Sequence, residues 1–215
     1  MRQCSVTKLE RRNEQTFAML WDLLILGACA GDEHRKMLAH LEELERQNLA
    51  DSVMANDSLA ERLAVYFDQH GTTNERMRAH YILGRTYADL GEAPAALDEY
   101  HIAADCTETT ATDCDYRILT RVYAQTTSLF YKQLMPNEML EELSMMEAVA
   151  MKAKDTLSWI NVDAWKYVAF DLLNEHAKAR NSAKSAYSKY LAYFDETTAA
   201  ECLPALIDIL VKEEN

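Results

Sequence analysis

Ser5 and Lys8 stand in a Ser-x-x-Lys spacing, in which an amine can take a serine proton. They precede an apolar run and belong to a leader, so the match is read as chance. His34 and His40 are six apart and would not share a helix face, where neighbours come at three or four. His80 and His101 fall on different helices, with no third ligand beside them, so each histidine is read as satisfied in the packing or exposed. Glu141, Glu142 and Glu147 read as a solvated helix face. The chain has no phosphate-binding glycine loop, no Gly-x-Ser-x-Gly, no His-Glu-x-x-His and no Cys-x-x-Cys. The expectation is a protein with no catalytic residues, no cofactor and no metal.

Such side chains need elements to position them, and the composition says which. The 215 residues include 5 glycines and 3 prolines, too few turn residues for a β-sandwich or barrel with a turn about every 8–12 residues. Hydrophobic residues make up 49% and charged residues 27%, a globular balance. With 35 acids against 22 bases the net charge is −13. An acidic chain without a basic patch repels phosphate backbones, so no nucleic-acid partner is expected.

Residues 17–31 read FAMLWDLLILGACAG behind Arg2, Lys8, Arg11 and Arg12. A basic stretch, a short apolar run and small residues form a secretory pattern. The run falls short of the roughly 20 residues that span a bilayer. Its end, Leu26-Gly27-Ala28-Cys29, resembles the lipobox of bacterial lipoproteins. That resemblance implies lipidation at Cys29, removal of residues 1–28, and an exported protein, periplasmic or at the outer membrane, held to the membrane through lipid alone. A buried first helix in a cytoplasmic protein is the alternative. In an oxidising compartment Cys106 and Cys114 could pair across CTETTATDC; in the cytosol they would be thiols. Cys202 reads as a small core residue.

Everything after the leader reads as helix. Met37, Leu38, Leu41, Leu44 and Leu49 recur mostly at three and four residues over 33–50. A second helix starts at Asp57, whose side chain suits an N-cap, and ends at Gly71. These two predict an antiparallel hairpin within residues 29–72. Thr73 or Asn74 is expected to cap a third helix running to Leu90, Gly91 to stop it in the left-handed region, and Pro94 to open the fourth. Asp51-Ser52-Val53, Asp57-Ser58-Leu59 and Asp155-Thr156-Leu157 resemble a motif that some Gram-negative bacteria glycosylate. The same triplets also start helices.

Within 73–106, Leu83, Gly84, Tyr87, Gly91, Ala96, Tyr100 and Ala103 occur at the spacing of the tetratricopeptide repeat (TPR), which this stretch resembles. Small residues would let the two helices approach, with Tyr87 and Tyr100 filling the space left. Phe130, followed by Pro136, Met139, Leu143 and Met146, marks a second repeat. Phe170, with Asn174 in place of the turn glycine and Ala179, Ala183 and Ala186 behind it, marks a third. Their aromatic-to-aromatic spacings of 43 and 40 exceed the roughly 34 of the family. The resemblance covers about 73–195 and implies an all-α, TPR-like solenoid of antiparallel helical hairpins wound as a right-handed superhelix.

The family's concave groove holds a peptide or a partner helix. Its positions fall on Arg78, Tyr81, Arg85 and Asp89, then on Arg121, Tyr131 and Lys132, then on Asn161 and Asp171. Arg and Tyr there would suit an acidic or aromatic-bearing segment. Leu203, Leu206, Ile207 and Leu210 predict a helix within 196–215 that caps the solenoid or makes a homodimer. The resemblance thus implies an exported TPR lipoprotein that scaffolds a protein or peptide partner. The alternatives are the truncated sensor portion of a bacterial signalling or transcription-regulating protein, and a small-ligand-binding helical accessory domain.

Overall fold

The computed structural model describes residues 31–50, 52–54, 57–106 and 114–194. The leader 1–28, Cys29, Cys202 and the segment 196–215 lie outside them. Helix α1 occupies 31–49. It is followed by α2 (Asp57–His70), α3 (Thr73–Leu90), α4 (Ala93–Asp105), α5 (Tyr116–Lys132), α6 (Pro136–Ala153), α7 (Thr156–Leu172) and α8 (His176–Tyr193). The described residues contain no strand. None of their helices is long and apolar enough to cross a membrane. The helices form successive hairpins: α1–α2, α3–α4, α5–α6 and α7–α8.

One device closes three of these hairpins. Gly91 has φ 83°, Leu134 φ 56° and Asn174 φ 60°. The next amide returns to the carbonyl of an aromatic residue near the helix end: Glu92 N–H to Tyr87 at 2.8 Å, Met135 N–H to Phe130 at 2.9 Å, and Glu175 N–H to Phe170 at 2.8 Å. Each left-handed residue lets the chain satisfy a terminal carbonyl and reverse within two or three residues. The positions 87, 130 and 170 are therefore structurally equivalent, and the 43- and 40-residue spacings are true repeat lengths.

The α3 start differs by one residue from expectation. Thr72 is the N-cap: its Oγ1 accepts from Glu75 N–H at 3.3 Å, and Glu75 Oε2 accepts from Thr72 N–H at 2.7 Å. That reciprocal pair satisfies two orphan donors, which Thr73 could not do with Arg76 three residues on. Asp155 caps α7 by accepting from Ser158 N–H at 3.0 Å, and Asp57 opens α2, so these two Asp-Ser/Thr sites are helix starts.

Packing within the second hairpin turns on Gly84. A Cβ there would lie 2.5 Å from Tyr100 Cε1 and 3.2 Å from the Ala96 carbonyl. Tyr100, Ala96 and Ala103 are fully buried. Buried apolar side chains run continuously from Leu41 on α1 to Val162 on α7. Two smaller clusters, around Ile160, Ala183, Ala186 and Tyr190, and around Phe130, Met139 and Ala169, complete the fourth hairpin and its seam with the third. Four buried threonines, 86, 120, 126 and 127, return their hydroxyls to carbonyls four residues earlier, which satisfies them inside the helix. Cys106 and Cys114 are not joined to each other in this structure. Both cysteines carry thiols packed against the main cluster, and burial pushes the Cys106 thiol up in pKa, away from the reactive thiolate.

Candidate functional site

Helices α1, α3 and α5 run parallel. Near their N-termini, Glu75 receives His34 at 3.2 Å and the Asp115 amide donates to Asn74 Oδ1 at 2.9 Å. Towards their C-termini, side chains knit the three into one face. Arg78 makes a bidentate pair with Glu45 at 2.7 and 2.6 Å. Asn48 donates to the Tyr81 hydroxyl at 3.2 Å. Arg85 donates from Nε to Asn48 at 3.0 Å, from Nη1 to Gln125 at 3.0 Å and from Nη2 to Asp89 at 3.0 Å. The other Asp89 oxygen accepts from the Met54 amide at 3.0 Å. One guanidinium thus ties α1, α3 and α5 together, in the fork geometry only arginine offers.

Above this network lies an open hollow of about 290 Å³ lined by Asn48, Leu49, Tyr81, Arg85, Arg121 and Gln125. Its floor is chemically complete, because Arg85, Asp89 and Asn48 spend their polar atoms on one another. Arg121 is different. It is exposed, and no hydrogen bond or ion pair holds it among the described residues. Leu49, 65% exposed, supplies an apolar wall beside it. Further along α5, Tyr131 is 41% exposed and meets Trp165 edge-on at 5.5 Å, with Lys132 exposed next to it.

Of the nine groove positions expected from sequence, Arg78, Tyr81, Arg85, Asp89 and Arg121 gather at this face, where Arg78 and Arg85 are already neutralised within the fold. Tyr131 and Lys132 lie at the end of α5. Asn161 instead faces its own hairpin, accepting from the Tyr190 hydroxyl at 2.5 Å, because α8 supplies the nearest donor. Asp171 is exposed at the end of α7, 3.6 Å from His176. The acidic face of α6 is not uniformly solvated. Glu142 turns inward, and burial, with Glu141 adding repulsion, pushes its carboxyl up to about 7. Glu147 meets Lys166 at 2.6 Å.

Sequence reasoning missed Glu45, Asn48, Leu49, Gln125 and Trp165. A signal for the first two existed: Glu45 and Asn48 sit 33 residues before Arg78 and Tyr81, close to the family repeat of about 34. So α1–α2 repeats the pattern without its glycine and aromatic markers. Gln125 and Trp165 carried none, since each is one of many polar or core residues on its helix.

No protein-family model matches the chain, and no curated protein does. One solved structure similar to it is that of nearly identical TPR-like repeats from a kinesin light chain of Podospora anserina. The two are 14% identical with a TM-score of 0.49, over 83% of this chain and 96% of that one. The fold itself, an all-α solenoid of TPR-like helical hairpins, stands on the turn geometry and parallel helices above.

Proposed function

We propose that the protein is a non-catalytic scaffold that holds an acidic segment of a partner protein against the α1–α3–α5 face. The observation that carries this reading is Arg121, a cation without a charge partner among the described residues, at the edge of a hollow in a chain of net charge −13. An acidic side chain meeting it would gain a charge-assisted hydrogen bond. Leu49 offers apolar surface for the residue beside it, and Lys132 with the Tyr131–Trp165 pair extends the face along α5. An array of short acidic, basic and aromatic peptides, probed with the wild type and with Arg121→Glu, tests it. Acidic peptides should be retained by the wild type and weakened at least about tenfold in the variant, about 1.4 kcal/mol. The same binders at the same strength with both proteins would refute it. The export reading is a separate proposal, supported by the basic and apolar pattern ending at Cys29: a palmitate analogue fed to bacteria expressing the chain should label it, and Cys29→Ser should abolish the label.

A further inference from the structure

His80 on α3 is 4% exposed, and both of its ring nitrogens meet carboxylates. Nδ1 lies 2.6 Å from Glu99 Oε2 on α4, and Nε2 lies 3.1 Å from Asp68 Oδ1 on α2. An ionised carboxylate can only accept, and a neutral imidazole has a single N–H. Asp68 also receives Arg76 Nε at 3.2 Å and is 43% exposed at its side chain, conditions that keep it ionised. With Glu99 a carboxylate as well, two acceptors on one ring require both nitrogens to carry protons.

We propose that His80 is a buried imidazolium, a proton-dependent clasp that fastens α2 of the first hairpin to α3 and α4 of the second. The charged and titratable groups around it come from each packed element: Asp68 on α2, Arg76 on α3, Glu99 on α4, and Cys106 just beyond α4, which feels Arg76 and Asp68. Burial alone would pull the imidazole down. The hydrogen bonds the ring donates to Glu99 and Asp68 outweigh it and raise the ring above its ordinary value of 6.5. Conversely, His80 and Arg76 overcome the upward pull of burial on Asp68 and hold it below the usual range. Because the folded pKa of His80 is raised, the clasp is complete below 6.5 and is lost as pH rises through the folded value. Loss of one proton leaves a carboxylate facing a bare ring nitrogen, so the α2 contact or the α4 contact must yield. The first hairpin carries Asn48 and Leu49, so an open clasp also loosens one wall of the hollow. That last consequence rests on the proposed groove; the clasp itself does not.

An NMR titration of the histidine rings in the full chain, with amide exchange of α2 measured at about pH 6 and pH 9, tests this. The His80 ring should hold two protons at the lower pH and titrate above 6.5. Protection of α2, corrected for intrinsic exchange, should fall several-fold at the higher pH in the wild type and not in His80→Gln. Glu142 titrates in both proteins, so its effect cancels in the difference. A His80 ring that titrates at or below 6.5, or equal pH dependence in the two proteins, overturns the proposal. Should His80→Gln not fold, Asp68→Asn serves: it alters a half-exposed side chain and should lower the His80 titration point. An unchanged titration point there would equally overturn it.

Discussion

Gly84 shows how little room one residue can leave. Its absent Cβ would sit 2.5 Å from the Tyr100 ring, and that ring has nowhere to go because it is fully buried. Gly84→Ala should therefore destabilise the fold by about 1–3 kcal/mol, despite the better helix propensity of alanine. Urea denaturation monitored by circular dichroism measures this, and an unchanged midpoint would mean that α4 shifts freely. Sequence spacing identified Gly84, Ala96 and Tyr100 as a packing set, since a glycine inside a helix has few other reasons to be there. It did not identify the environment of His80, because the two carboxylates that clasp it are 12 and 19 residues away on different helices. Nor did it reveal that Glu142 is partly buried while Glu141 beside it is exposed, a difference decided by which neighbour covers each.

The helices end where local chemistry tells them to. Thr72 with Glu75, Asp155 with Ser158, Gly91 and Asn174 are all recognisable stops and starts. Leu134 is not. It occupies the left-handed region at φ 56° and is 68% exposed, so neither backbone preference nor burial favours it. The penalty for a left-handed non-glycine residue is about 1–2 kcal/mol, and the freedom glycine adds to the unfolded chain takes back about 0.5–1 kcal/mol. Leu134→Gly should thus stabilise the protein by up to about 1 kcal/mol, read as a higher thermal midpoint. A lower midpoint would show that the leucine side chain contributes contacts at this turn. Pro136 pointed to the turn from sequence. The residue that bends the chain was hidden, because leucine carries no turn signature.

In the whole molecule, each hairpin leans on its neighbours and stability spreads unevenly along the stack. The main apolar cluster spans α1 to α7, whereas the cluster that seats α8 holds four buried residues, two of them alanines. Polar links within the fourth hairpin, from Asp163 to Ser185 at 2.5 Å and to Lys189 at 2.8 Å, do not replace that area. Amides of α8 should open at lower free energy than those of α3 and α5 in native-state hydrogen exchange. Equal protection across the four hairpins would contradict this.

What the amino acids settled unaided was the periodic part. Low glycine and proline content, spacing of three and four between apolar residues, and small residues at helix crossings are local or evenly repeated signals, and they imply stacked antiparallel helices. The tertiary structure decided which charges are consumed and which remain. Arg78, Arg85 and Arg121 look alike along the chain, yet the first two are neutralised by Glu45 and Asp89 while the third is left exposed at the hollow. Charge pairing depends on distances between helices that the order of residues does not contain.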